Sequence, residues 1–417
     1  MNVIKRDGTK VLFNPNKIIN AINKAMIQVD GSLYETDTAE EIAQIIASQN
    51  KDLHVERIQD MVEELLMKSE RPDVAKAYIL YRDERSKERA KRGKIVSAIM
   101  RRTNAAAVEN SNANVDEKSF SGREKEASSD VQKIIALDYT LSPEVSQAHR
   151  DMLLYQHDLE KTNIGQHNCL NIDFKKLFTE GFRTRNGDIR PPSTLSTACQ
   201  QTAVIFQCQS QVQFGGAGSV HIDYDLAPFV KSSFRKHIKH YLTDVQELSD
   251  EDAEIVINAK YEPCEINNTD IQDTPAYKYA IRQLNREGRQ STEALYHNLN
   301  TLESRAGSQV PFTSINLGRD TSPEGRFITE KIFEASLSGI GKHHLTPIFP
   351  ISIFQYKQGC NANPEDPNYD LKQLALKSLS KRIYPNFVNC DWSEAHEDES
   401  NPDTYFATMG KCKLQLM

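Results

Sequence analysis

Over the first ninety residues the spacing of apolar positions changes from strand-like to helix-like. VIKRDGTKVLF sets Asp7-Gly8 between two β-prone runs, which is a hairpin pattern because both residues suit the turn conformations that join paired strands. Asn14-Pro15 then opens a helix in which Ile18, Ile19, Ile22, Ala25 and Met26 recur on one face, with Pro15 at the first helical position. Thr38 and Glu41 form a capping box ahead of Ile42, Ile45 and Ile46. A third helix is predicted from about Val55 on Ile58, Val62, Leu65 and Leu66. A fourth starts near Pro72 on Val74, Ala77, Tyr78 and Tyr81, before charge takes over from Arg82 to Lys94. A small hairpin-plus-helices domain is therefore expected over residues 1–93.

Residues 94–130 read as a linker, poor in apolar side chains and rich in Asn, Ser and charge, with room for one helix at the start. From Val131 the apolar pattern returns, and residues 131–417 are expected to form one α/β body. The chain reads as helical on both sides of Ser142-Pro143. Leu170, Ile172 and Phe174 then alternate like a half-buried strand, with Cys169 at its mouth. Thr194–Gln213 predicts a long helix that buries Leu195, Ala198, Val204, Ile205 and Cys208 together, so that Cys199 and Cys208 serve packing. Phe214–Ser219, FGGAGS, has neither the ending of a phosphate loop nor dinucleotide-loop spacing, and is expected to be a tight turn. Residues 231–300 are polar and helical in pattern. Val310–Leu317, Glu324–Leu337, Pro347–Tyr356 and Tyr369–Lys381 then alternate between strand and helix, the signature of an α/β sheet or barrel. Gly339–Lys342 lacks the first glycine of a phosphate loop, because position 336 is Ser336.

Composition narrows the function classes. A chain of 417 residues, 38% hydrophobic, can bury large cores and allows two to three domains. A net charge of -7 and a pI near 5.9 give no electrostatic case for a nucleic-acid backbone, while nucleotides stay open as ligands. No apolar run could span a bilayer and Asn2–Lys10 is no signal peptide, so a cytoplasmic location is expected. Seven cysteines, an odd count without a CxxC pair, argue for reduced thiols in the cytoplasm, and no metal site is expected.

The candidate chemistry centres on Tyr155–Phe174, YQHDLEKTNIGQHNCLNIDF, which carries a His-Asp pair and a cysteine. A thiol at a strand mouth can face a cavity; a buried core cysteine is the alternative. Taken with PPSTLSTA, NTLESRAGSQVPFTSINLG, GIGKHHLTPIFP, DPNYDLKQLALKSLSKRIYPN and YFATMG, this stretch resembles the anaerobic (class III) ribonucleoside-triphosphate reductases, in register from the N-terminus to about Gly410. The N-terminal domain resembles an ATP-cone regulatory domain, whose motifs stand here as Val3 to Gly8, Lys17 to Ile22 and Ala75 to Arg82.

That resemblance implies an α/β fold: an α+β ATP-cone, then the first half of a ten-stranded α/β barrel of the glycyl-radical enzyme kind. It implies that Val3, Ile4, Lys5, Arg6, Lys17 and Arg82 form a pocket for ATP or dATP as allosteric effectors, charged nitrogens being strong partners for phosphate oxygens. It implies that Cys169 faces a thiyl radical across the substrate, with His157 and Asp158 nearby. The radical cysteine itself should fall just after Gly410, where Cys412 is the available residue. Ribonucleoside triphosphates as substrates, formate as reductant, a radical-SAM iron-sulfur activating protein and a homodimer come with the same resemblance. So does a specificity-effector site at the dimer interface, for which the helix from Thr194 is the only pointer. No membrane or nucleic-acid partner is implied.

The chain departs from the pattern at one place. Where the family reads MGCR followed by Ser or Thr, this sequence reads Met409-Gly410-Lys411-Cys412-Lys413, with one residue inserted and the arginine lost. The second half-barrel, the four-cysteine zinc site and the glycyl-radical loop have no counterpart here. The expectation is a truncated reductase that is inactive alone. A nucleotide-sensing regulatory protein built on the ATP-cone, and one half of a split reductase, are the competing readings.

Overall fold

The computed structural model describes residues 1–6, 8–32, 37–103, 119–165, 167–305, 307–392, 397–398 and 400–409. The chain divides into two compact units, residues 1–101 with 133–155, and residues 102–132 with 156–417.

In the first unit β1 (Asn2–Ile4) pairs antiparallel with β2 (Lys10–Leu12) and parallel with β3 (Leu53–His54). Gly8 sits at φ 81° in the connecting turn, a left-handed conformation that glycine adopts without a Cβ penalty. Helices α1 (Asn16–Asp30), α2 (Asp37–Ala47), α3 (Val55–Lys68) and α4 (Pro72–Thr103) follow. Their apolar stripes meet in one core that contains Ile22, Met26, Ile46, Val62, Leu66 and Val74. Two details differ from the sequence pattern. Helix α2 already begins at Asp37, so Thr38 lies inside it, and Ile45 faces solvent at 45% exposure while Ile42 and Ile46 carry the buried face.

Within the stretch read as a linker, residues 94–103 continue α4, and Phe120 opens α5 (Phe120–Ile135), where the Ser119 hydroxyl accepts the Gly122 N–H at 2.9 Å. Residues 104–118 lie outside the described residues. Helix α6 (Pro143–Arg150) is capped by Ser142. The Asp138 carboxylate that precedes it pairs with Arg150 at 2.7 Å and with Lys94 of α4 at 3.3 Å.

The second unit is a five-stranded sheet in the order β10-β9-β8-β7-β4, all neighbours parallel. Its elements in chain order are β4 (Leu170–Asn171), α7 (Phe174–Glu180), a small hairpin of β5 (Phe182–Arg183) and β6 (Asp188–Ile189), α8 (Leu195–Val212), β7 (Ala217–Ser219), α9 (Ile222–His240), α10 (Asp250–Val256), α11 (Pro275–Thr301), β8 (Thr313–Leu317), α12 (Pro323–Ser338), β9 (Ile351–Tyr356), α13 (Tyr369–Lys381) and β10 (Asn386–Asn389). The fully buried rings of Phe174, Phe206, Phe234, Phe333 and Phe354 anchor one core, each worth roughly 1.5–3 kcal/mol on burial. Strands β8 and β9 are buried almost throughout, as parallel strands covered by helices are.

Three expectations are corrected here. Phe174 does not continue the cysteine strand: the Asp173 carboxylate accepts the Lys176 N–H at 2.9 Å and turns the chain into α7. FGGAGS is not a free tight turn, because its Ala217–Ser219 half is strand β7 between β4 and β8. Cys208 is exposed and Val204 only half-buried, while Cys199 is buried as expected, since α8 turns its 208 position away from the core.

Candidate active site

Strand β4 exists because β7 lies beside it, and this pairing fixes Cys169. The Leu170 N–H donates to the Gly216 carbonyl at 3.1 Å, and the Gly216 N–H donates to the Cys169 Sγ at 3.4 Å. A Cβ on Gly215 would stand 1.7 Å from the Asn168 carbonyl oxygen, so only glycine lets the two backbones approach this closely. Cys169 is thereby held half-buried at the start of a strand at the edge of the described sheet.

His157 and Asp158 lie upstream of it on a turn. Asp158 takes a left-handed φ of 51°, the buried Leu159 pins the turn, and the His157 Nδ1 is 2.7 Å from the Asp158 carboxylate. The His157 side chain is 73% exposed, whereas that of Asp158 is 23% exposed. Arg305, itself buried, feels the charge of Asp158 and of the thiol. Burial pulls its guanidinium down to about 10, against the attraction of Asp158 and of Cys169.

The stretch Tyr405–Met409 crosses the sheet, held by amide side chains from its centre. Asn316 of β8 donates to the Thr408 carbonyl at 2.9 Å and accepts the Thr408 N–H at 3.2 Å, and Gln355 of β9 donates to the Phe406 carbonyl at 2.8 Å. Met409 ends against Gly218 of β7, where its Cε would stand 3.1 Å from an added Cβ. Cys412 and Gly410 lie outside the described residues.

Beyond the carboxyl ends of β4 and β7, Asn171, Asp173, His221, Asp225 and Asp403 line a cavity of about 260 Å³. Burial alone would pull the His221 imidazole down, but Asp225 and then Asp223 outweigh it and lift the group to about 9. A cavity of about 670 Å³ opens between α8, α9 and α11, beside Thr194, Lys236 and Arg286. At its wall the Glu287 carboxylate accepts the Ser196 N–H at 3.1 Å and lies 2.8 Å from the His237 ring.

In the first unit Val3 and Ile4 lie in β1, the middle strand of its sheet. Arg6 and Arg82 come together through Glu56, which the Arg6 Nε contacts and the Arg82 Nη2 approaches at 2.8 Å. Arg82 also reaches Asp60 at 2.8 Å and Glu63 at 2.7 Å. The side chains of Lys5 and Lys17 are exposed, and none of the described residues pairs with either ammonium. Sequence spacing did not reveal the roles of Arg305, Asn316 and Gln355. The run NTLESRAGSQVPFTSINLG holds two of them, but nothing in its periodicity distinguishes them from core polar residues.

The family profile described as anaerobic ribonucleoside-triphosphate reductase matches residues 111–417. The chain belongs to this family. Its residues 1–87 match the ATP cone domain. Two similar curated relatives are the anaerobic ribonucleoside-triphosphate reductases of Haemophilus influenzae, 34% identical over 396 residues, and of Escherichia coli K12, 34% identical over 397 residues. The matches cover 93% and 94% of this chain and 52% and 51% of those proteins, so the chain spans about half the length of these relatives. It also resembles the crystal structure of the anaerobic ribonucleotide reductase from Thermotoga maritima in complex with dATP and CTP, with a TM-score of 0.43 and 13% identity over 72% of this chain and 50% of that one.

Among the described residues no group of three or more His, Cys, Asp or Glu side chains could hold a metal ion. None of the described helices is long and apolar enough to cross a membrane.

Proposed function

We propose that this chain supplies the nucleotide-recognising part of a cytoplasmic anaerobic ribonucleoside-triphosphate reductase. The second unit is read as the first half of a ten-stranded barrel that holds a ribonucleoside triphosphate with its ribose against Cys169. The first unit is read as an ATP-cone that takes ATP or dATP as effectors. The observation that carries the reading is the Cys169 thiol, fixed by the Gly216 N–H and half-exposed at a strand mouth, with the family's C-terminal motif carried across the same sheet as far as Met409.

In this reading the radical supplied to the site removes the ribose 3′ hydrogen, and formate supplies the reducing equivalents. Cys169 then offers a hydrogen atom from a weak S–H bond as the 2′ hydroxyl leaves as water, while His157 and Asp158 hold the ribose hydroxyls. Cys412 is the proposed radical cysteine. Turnover requires residues for the second half-barrel, the zinc site and the radical-storing glycine, together with the radical-SAM activating protein, and residues 1–417 alone reduce nothing. The cavity beside Thr194 is the proposed place for specificity effectors, at the face where two copies would meet.

Isothermal titration of the full chain tests the recognition half of the proposal. ATP and dATP should compete for one site in the first unit, and CTP should bind without displacing them. No heat from ATP or dATP at millimolar concentration would overturn the effector assignment; no heat from CTP would overturn the substrate assignment.

A further inference from the structure

The candidate effector pocket of the first unit is half closed by its own side chains. The ammonium groups of Lys5 and Lys17 are exposed and meet no partner among the described residues, whereas α3 engages both arginines. Glu56, Asp60 and Glu63 recur at helical spacing on one face of α3. The Arg82 Nη1 donates to Asp60 at 2.8 Å and to Glu63 at 2.7 Å, and its Nη2 donates to Glu56 at 2.8 Å, so both ends of the guanidinium meet carboxylates. Arg6 reaches the same Glu56 with its Nε, and its Nη2 donates to Gln59 at 3.0 Å. One carboxylate thus bridges the two arginines, with Oε1 toward Arg6 and Oε2 toward Arg82.

A guanidinium fork takes a carboxylate or a phosphate in the same planar geometry, so Glu56 occupies the donors that a triphosphate would use. The Arg82 hydrogen bond, opposed by partial burial and helped by Arg6, holds the Glu56 carboxyl below its ordinary value and keeps it an anion. The Arg6 and Glu56 side chains are 41% and 44% exposed, and ion pairs this open to water are weak. A polyanion with more oxygens and more charge can displace the carboxylate at small cost. Arg82 belongs to α4, whose Lys91 donates to the Asp138 carbonyl at 3.1 Å and whose Lys94 pairs with the Asp138 carboxylate at 3.3 Å. Exchanging Glu56 for phosphate therefore loosens α4 from α3 at Arg82 while the far part of the helix stays tied to Asp138.

We propose that Glu56 is an internal competitor of the effector: its carboxylate stands between Arg6 and Arg82 where phosphate oxygens would bind, and the nucleotide binds by displacing it. The inference rests on the ATP-cone reading given above and adds to it a carboxylate that sets the concentration at which the pocket fills.

Titration calorimetry of the full chain tests this at the site for which ATP and dATP compete. Glu56→Gln keeps the size of the side chain and removes its charge, and it should tighten ATP binding by about threefold or more, the scale of an exposed ion pair. Asp60→Asn touches Arg82 but not Arg6 and should give a smaller gain in the same direction; it decides the matter if circular dichroism shows that Glu56→Gln has not folded. The gain should shrink from ATP to AMP, which brings fewer phosphate oxygens to the arginines. Equal or weaker ATP binding by the folded variants, beside a parent that binds ATP, would overturn the competitor role and leave the ATP-cone reading intact. An equal gain for AMP and ATP would also overturn it, because the substitution would then open the pocket rather than free the arginines. No ATP binding by the parent or by either variant would overturn the ATP-cone reading itself.

Discussion

Glu397 is the best single point at which to loosen the segment that crosses the sheet. Its carboxylate is bound to the Arg319 Nη1 at 3.1 Å through both oxygens, and the two side chains are only 5% and 7% exposed. It also accepts the Phe406 N–H at 2.7 Å and lies 3.6 Å from the Lys357 ammonium, while the Arg319 guanidinium sits 3.5 Å from the Tyr405 ring centre. Glu397→Gln keeps the shape and removes the charge, which leaves Arg319 buried without a counter-ion, and breaking such a pair costs about 3–5 kcal/mol. With a urea slope of about 3 kcal/mol per M the unfolding midpoint should fall by about 1 to 1.7 M. Trp392 is the only tryptophan of the chain, so its fluorescence follows this unit alone. The control is Arg319→Met/Glu397→Gln, which removes both charges and leaves Lys357 its contact to Asp391 at 3.8 Å. This double variant should recover most of the loss, because no buried charge is then left without its counter-ion. A single variant within about 0.5 M of the parent, or a double variant worse than the single one, would refute the reasoning.

Three further outcomes are expected. His221 is raised above its ordinary value to about 9, so its contribution is fully present below about pH 6.5 and is lost as pH rises through 9, about 3 kcal/mol at most. The Trp392 urea midpoint should therefore drop between pH 6.5 and 10 in the parent and stay flatter in His221→Gln; equal slopes would contradict this. Gly215→Ala forces a Cβ against the Asn168 carbonyl and should cost about 1–3 kcal/mol while changing the iodoacetamide rate at Cys169 more than threefold, and an unchanged rate would show that the backbone contact does not position the thiol. Lys5→Ala and Arg6→Ala should each weaken ATP binding in titration calorimetry by about 1.5–3 kcal/mol, and unchanged affinity in both would remove them from the effector pocket.

Where the sequence was legible, apolar spacing or a cap marked the element. α13 spans the Tyr369–Lys381 expected of it, and α12 and β9 lie within a few residues of their expected bounds, because long periodic runs with clear stops leave little freedom. Strand β4 shows why the cysteine region was harder. It has only two paired residues, and the cap that turns the chain at Asp173 competes with the alternation that carried Phe174 into a strand. FGGAGS misled for a related reason: its glycines serve a close backbone approach to Asn168 within a parallel ladder, a tertiary demand invisible in local propensity. The candidate cysteine and the His-Asp pair were singled out through family resemblance. The meeting of Lys161 and Arg305 at the Phe214 ring was not, since the three residues lie far apart along the chain.

The most direct test of Cys169 as the hydrogen-donating thiol is dCTP formation from CTP under strict anoxia, with formate, S-adenosylmethionine and the iron-sulfur activating protein present. The measurement compares residues 1–417 alone, the chain extended by the family's second half, and the extended chain carrying Cys169→Ser. The account predicts dCTP from the extended parent alone, with ATP binding unchanged in the Cys169→Ser form, because a hydroxyl is a far poorer hydrogen donor than a thiol. Reduction by the Cys169→Ser form at the parent's rate would contradict the role given to this residue, and dCTP from residues 1–417 alone would contradict the need for the second half.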